Sequence, residues 1–108
     1  MLTLSHGTDP YGELPHSTER LHALAADLAR PGVLPSQDLA TVREILTSPL
    51  PGGRLEIEPG QARQIAAILR RASDSFDLPA RPTAEAALLG DAAGRAADAD
   101  ETWTWRTT

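Results

Sequence analysis

The sequence contains no cysteine and no lysine, and only 4% of its residues are aromatic. The absence of cysteine excludes disulfides, thiol nucleophiles and zinc–thiolate sites. With one Phe, one Tyr and two Trp residues, a core has to rely mainly on Leu, Ile, Val and Ala. No segment approaches the roughly 20 apolar residues that span a bilayer, and the N-terminal segment lacks the basic and apolar regions of a signal peptide. We therefore expect a cytoplasmic protein.

The formal net charge is −5, from 15 acidic residues and 10 basic residues, all of them Arg. Nucleic-acid binding depends on clustered basic side chains, so this balance argues against a nucleic-acid partner. The length of 108 residues corresponds to a single domain, residues 1–108. The hydrophobic fraction of 41% and the charged fraction of 23% are typical of a globular protein.

Apolar residues recur at helical spacing in several segments. The first predicted helix begins at Ser17, whose hydroxyl can cap free backbone N–H groups, and it stops before Pro31. A fourth, Ala-rich helix is interrupted by Gly90 and Gly94, each of which costs about 1 kcal/mol relative to Ala. The predicted helices cover residues 17 to about 30, 36 to about 47, 61–73 and roughly 83–98.

Three short segments alternate between apolar and polar residues, as half-buried strands do. They are residues 2–5, residues 54–58 and the C-terminal "TWTWRTT", which places Trp103 and Trp105 on one side of a strand. Pairing of the two terminal strands would close the fold end to end. We predict an α+β protein, with about four helices packed on a small sheet formed by the N-terminal, central and C-terminal strands. An all-α fold with extended ends is the alternative.

The N-terminal stretch "SHGTDPYG" places Ser5, His6 and Asp9 close together in the sequence. A catalytic triad needs serine, histidine and aspartate side chains that converge, yet neighbouring residues of a strand project to opposite faces. The chain also lacks a Gly-x-Ser-x-Gly elbow. A turn at Asp9-Pro10 and Tyr11-Gly12 explains the segment better, and no catalytic residue is predicted.

Metal binding is the second specific function considered for this region, after a catalytic triad. The three histidines are His6, His16 and His22, and they show none of the usual metal-ligand spacings. The fold could still bring His6, His16 and Asp9 together, but scattered surface histidines are the favoured interpretation. No metal site and no cofactor are predicted.

The two C-terminal tryptophans have two interpretations. They either complete the core, or they form an exposed aromatic face that recruits another chain, for example by strand addition at a sheet edge. Because so few large side chains are available, we favour core packing for at least one of Trp103 and Trp105.

The C-terminal third of the chain is acidic. Its carboxylates form either an ordinary solvated face or a docking surface for a basic partner. In the third helix, we interpret Arg70 and Arg71 as solvent-exposed charges that complement the helix dipole near its C-terminus, rather than as an anion-binding site. The carboxylates are Asp91, Asp98, Asp100 and Glu101.

Three patterns carry a resemblance to known sequences: "SHGTDPYG", "IEPGQARQIAAILRRA" and the terminal "WTW". Together they resemble a group of small uncharacterised proteins of Streptomyces and related actinobacteria, which share an N-terminal Ser-His-Gly, a central Gln-Ala-Arg-x-Ile-Ala helix and a terminal Trp. The use of Arg alone among the basic residues is similar to the amino-acid usage of proteins from GC-rich genomes. The resemblance implies no activity and transfers no catalytic residue.

Two hypotheses about function follow. The first is a small acidic non-enzymatic interaction or regulatory protein, which acts through a protein partner or self-association and binds neither nucleic acid nor membrane. The second is a small-molecule-binding domain or minor enzyme, with a pocket where the loop 6–12 meets the C-terminal strand. A helix-turn-helix regulator is disfavoured because a strand separates the second and third helices. In both hypotheses the candidate surface consists of His6, Asp9, Tyr11, Trp103 and Trp105.

Overall fold

A computed structural model of the protein describes residues 2–6, 14–48 and 53–107. The described part of the chain contains both helices and an antiparallel sheet, which confirms the predicted α+β class. In chain order the elements are β1 (Leu2–His6), β2 (Leu14–His16), α1 (Thr18–Leu28), α2 (Ser36–Leu46), β3 (Arg54–Ile57), α3 (Pro59–Ser73), α4 (Ala80–Asp98) and β4 (Trp103–Thr107).

The strands form one antiparallel sheet in the order β2-β1-β4-β3. The predicted pairing of the terminal strands is confirmed, because Leu2 lies opposite Thr107 and His6 lies opposite Trp103. Strand β2 was not predicted, since Pro15 lies at its centre. Its position at the sheet edge explains why proline is tolerated, as an edge strand does not need every backbone N–H for pairing.

The helices cover one face of this sheet, as predicted. Side chains alternate across a strand, and the helix side of the sheet carries the buried Leu4, Ile57, Trp103 and Trp105. The opposite face is polar and includes the exposed Arg54, Glu56 and Arg106.

The first three helices begin and end near their predicted bounds. Ser17 caps α1, where its Oγ accepts a hydrogen bond from the backbone N–H of Arg20 at 3.1 Å. The α1 stripe of Leu21, Leu24, Ala25 and Leu28 is buried, as its spacing predicts. None of the described helices combines the length and the apolar character needed to cross a membrane.

Helix α4 differs from its predicted extent at its N-terminus. It begins at Ala80 rather than Thr83, because Pro82 lies in the first turn, where a backbone N–H has no intrahelical acceptor. It also continues through both glycines, which lie against α3. A Cβ added at Gly90 would be 3.3 Å from the Cβ of Leu69, and one added at Gly94 would be 3.9 Å from the Cβ of Ala66.

A Schellman motif ends α4 and turns the chain into β4. Asp100 adopts the left-handed conformation with φ 55°. The backbone N–H of Asp100 donates to Ala97 O and that of Glu101 donates to Ala96 O, both at 3.0 Å. Asp100 therefore fills the position that most often carries glycine.

Candidate interaction surface

The most exposed large apolar side chain in the described part of the protein is Phe76. It lies in the connection between α3 and α4, called here the Phe76 turn (residues 74–79), and its relative exposure is 105%. The other exposed large apolar side chain among these residues is Leu88 of α4, at 46%. In a chain with four aromatic residues, full exposure of the one phenylalanine is unexpected, because aromatic side chains contribute most to a core when buried.

Three hydrogen bonds hold the Phe76 turn in place. The N–H of Asp74 donates to Arg70 O at 3.1 Å, and the N–H of Ser75 donates to Ala72 O at 3.0 Å, so both continue the C-terminus of α3. On the far side, the hydroxyl of Thr83 donates to Leu78 O at 3.2 Å. Phe76 is thus presented on a fixed turn.

Two further contacts fix the turn against the rest of the molecule. Leu78 is buried, with 6% exposure, and belongs to the core. Gly32, in the connection between α1 and α2, adopts φ +84°, and a Cβ added there would lie 2.6 Å from Asp77 Oδ2. The positive φ explains why glycine occupies position 32, and the missing side chain leaves room for Asp77 to approach.

Carboxylates flank Phe76 on both sides. Asp74 and Asp77 are exposed, and the ion pairs of the described residues include neither of them. An apolar ring between two exposed carboxylates that form no ion pair among the described residues is suited to an apolar pocket with a basic rim.

A groove of about 490 Å³ between α3 and α4 is the second surface feature. Its α3 wall carries Arg63, Arg70 and Arg71, and its α4 wall includes Gly94, Ala97 and Asp98. Each arginine faces a carboxylate: Arg63 lies 3.7 Å from Asp98, Arg70 lies 4.0 Å from Asp91, and Arg71 pairs with Asp38. Because each of these arginines is paired with a carboxylate, the groove is not lined by unpaired cations.

These ion pairs also bear on the predicted acidic docking face. Asp91 and Asp98 of α4 form ion pairs with Arg70 and Arg63 of α3, so they do not form one unpaired acidic surface with Asp100 and Glu101. Exposed pairs at this separation contribute little to stability. The interpretation as a solvated face agrees with their exposure.

The structure places both tryptophans in the core. Trp103 is 1% exposed and Trp105 is 2% exposed, and their rings meet edge to face with centroids 5.3 Å apart. The alternative of an exposed aromatic face is therefore wrong. Strand addition at the C-terminal strand is also wrong, because β4 lies between β1 and β3.

The other predicted surface residues are only partly covered by the structure. The backbone of His6 lies opposite Trp103, which brings the start of the N-terminal loop beside the C-terminal strand. Asp9 and Tyr11, and with them the predicted turn, lie outside the described residues. The indole Nε1–H of Trp105 is buried, and no hydrogen-bond acceptor for it is found among the described residues. The pocket between the loop 6–12 and the tryptophans stays a prediction.

The triad and metal interpretations, which the sequence disfavoured, gain no support in the described part of the chain either. Ser5 and His6 are consecutive in β1, the arrangement that argued against a triad. His22 is exposed on α1. No group of three or more His, Asp or Glu side chains in the described ranges is placed to hold a metal ion.

Sequence reasoning missed Phe76 as a functional candidate. The available signal was the segment "DSFDLP" (residues 74–79), in which one aromatic residue stands between acidic and turn-forming residues after a predicted helix. A core short of large side chains suggested burial instead. Only the geometry of the turn shows that the ring points away from the core.

A family model described as a domain of unknown function (DUF7739) matches residues 7–106. No curated protein and no solved structure matches the chain. The match includes all four helices and most of the sheet, and it confirms the resemblance to an uncharacterised family. Its description assigns no activity, so any function has to be inferred from the surface.

Proposed function

The chain belongs to the DUF7739 family, and we propose that it acts without catalysis, by binding a partner protein through the Phe76 turn. The single observation that carries this proposal is the full exposure of Phe76 on a turn that is held by hydrogen bonds and by the buried Leu78.

Exposure of Phe76 leaves a favourable free energy of burial unused in the free protein. Burial of a phenylalanine side chain stabilises a protein by about 1.5–3 kcal/mol relative to exposure. Phe76 makes no such contribution in the free protein, whereas it can make one in a complex. Aromatic residues are enriched in interfaces, and a few anchors carry most of the binding free energy. A preformed turn also lowers the entropy lost on binding.

The charge around the ring indicates the chemistry of the partner. Asp74 and Asp77 flank Phe76, and the whole chain carries a formal net charge of −5. We propose a protein partner with an apolar pocket bordered by Lys or Arg. The acidic balance disfavours nucleic acid or an anionic membrane as the partner.

We further propose that the protein acts in the cytoplasm of an actinobacterium. The absence of cysteine is compatible with a reducing compartment, although it does not require one. The exclusive use of Arg among basic residues supports a GC-rich source.

Site-specific photocrosslinking in the native host tests the partner proposal. A benzophenone amino acid is placed at Phe76 in one variant and at Leu88 in a matched control, since Leu88 is the other exposed large apolar residue. We expect a discrete protein to be captured from position 76 and not from position 88. The captured protein is then purified, and its affinity is measured by calorimetry.

The affinity measurement decides the outcome. We expect F76A to weaken binding by at least about tenfold, the loss expected for an interface anchor, and L88A to leave it within about twofold. Both variants should melt close to the wild-type temperature, because exposed side chains contribute little to stability. Capture that is equal from both positions, or an F76A affinity within about twofold of wild type, would refute the proposal.

A further inference from the structure

The two edges of the sheet differ in their capacity to pair with another strand. β2 has three residues and carries Pro15, which has no backbone N–H. β3 (Arg54–Ile57) contains no proline, and in the described part of the chain it pairs only with β4. The outer side of β3 therefore offers backbone donors and acceptors that β4 does not use.

The side chains of β3 are complementary to a second copy of the same strand. Arg54 and Glu56 are both exposed, and they form an ion pair at 2.8 Å on the polar face of the sheet. In an antiparallel self-pairing centred on Leu55, residue 54 of each copy lies directly opposite residue 56 of the other. Arg54 then faces Glu56 twice across the two-fold axis, the cross-strand arrangement that favours opposite charges.

We propose that two copies of the chain associate by antiparallel pairing of β3 with β3, about a two-fold axis at Leu55. The two four-stranded sheets then form one continuous sheet. Leu55 is half-buried, packs on the core and lies opposite Trp105, so the two copies of Leu55 meet at the axis and extend the apolar layer between the two cores.

The alternation of charge selects this partner and this register. Edge strands commonly carry charges that keep identical chains apart, and a strand with charges of one sign repels its own copy in every register. β3 carries one charge of each sign, two residues apart. The centred register brings only opposite charges together, which favours a second copy over other strands.

This proposal is independent of the Phe76 turn. β3 immediately precedes α3, whereas the Phe76 turn follows it. The 15 residues of α3 separate the two surfaces by about 22 Å at 1.5 Å per residue. Failure of either experiment therefore leaves the other interpretable.

Charge reversal at the two β3 positions, followed by sedimentation equilibrium, tests the pairing. We expect the wild-type mass to rise from monomer towards dimer over a roughly hundredfold increase in concentration. R54E presents two negative charges and E56R two positive charges, so each variant alone should stay monomeric. An equimolar mixture of the two should form a one-to-one dimer, and the double variant R54E/E56R should regain self-association.

Two control variants separate the edge from the effect of net charge. R30E changes the net charge as R54E does, and E44R changes it as E56R does. Both residues are exposed and lie outside β3, Arg30 in the connection between α1 and α2 and Glu44 on α2. Both controls should dimerise like the wild type, and circular dichroism should show that all variants are folded. A wild-type chain that stays monomeric throughout, or a dimer that survives both single reversals, overturns the proposal. Failure of the mixture to associate overturns it as well.

Discussion

Replacement of Gly94 by alanine should stabilise the protein, although Gly94 lies at a contact between two helices. Glycine within a helix costs about 1 kcal/mol relative to alanine. The Cβ of an alanine at this position would lie 3.7 Å from Arg70 Nη2 and 3.9 Å from the Cβ of Ala66. Both are ordinary van der Waals distances, so no packing penalty opposes the gain. We expect the free energy of unfolding to rise by about 1 kcal/mol.

The same substitution at Gly90 should have the opposite result. There the new Cβ would lie 3.3 Å from the Cβ of Leu69 and 3.6 Å from Ala66 O. Leu69 is 1% exposed and surrounded by core residues, so it has little room to move. Overpacking of this kind typically costs about 1–3 kcal/mol, which cancels or exceeds the helix-propensity gain. We expect G90A to be destabilised by roughly 0–2 kcal/mol.

Urea unfolding followed by circular dichroism measures both changes, with thermal melts as a second readout. In a domain of about 100 residues, a gain of 1 kcal/mol corresponds to a rise in Tm of about 4 °C or more. G94A should therefore melt well above G90A, with the wild type between them or level with G90A. If G94A is destabilised, or if the two variants change stability equally, the difference in space beside Gly90 and Gly94 does not determine their stability.

Three further substitutions test the ends of the helices and the core. S17A should lower the free energy of unfolding by about 1 kcal/mol, because it removes the acceptor for the N–H of Arg20; an unchanged midpoint in urea would contradict that cap. D100G should raise the free energy of unfolding by about 0.5–1 kcal/mol, because glycine adopts a φ of 55° without strain. A lower Tm would show that the Asp100 side chain stabilises the protein by more than the strained backbone destabilises it. W103A should lower the free energy of unfolding by about 3–5 kcal/mol, since the ring is 1% exposed. A loss below about 1 kcal/mol in chemical unfolding would contradict the position of Trp103 in the core.

Local sequence patterns were sufficient for most of the fold. The periodicity of α1 to α3 follows directly from a helix that buries one face, and Ser17 and Pro31 mark the ends of the first segment. The tryptophans of β4 also share a side, as period-two alternation requires. Pairing of β1 with β4 joins distant parts of the chain, and it was inferred from the need to close a small sheet rather than from local sequence.

Other features depend on tertiary context. Pro15 argues against a strand by itself, and only its place at a sheet edge makes β2 acceptable. Pro82 likewise marks a helix boundary in sequence, although the first turn of α4 accommodates it. For the candidate surface, the predicted residues included the two buried tryptophans and omitted Phe76. Burial depends on what the rest of the chain covers, which composition does not show.

The central position of β4 has a consequence for synthesis on the ribosome. β1 is synthesised well before β4, yet β4 lies between β1 and β3 in the sheet. At about 5–20 residues per second, translation from β1 to β4 takes roughly 5–20 s. Throughout that interval the strand edges that β4 will cover remain unpaired, and the apolar residues Leu4 and Ile57 lack the tryptophans beside them. The nascent chain is therefore most prone to aggregation just before β4 is made. We expect its yield to depend on chaperones that hold it until residues 103–107 are synthesised.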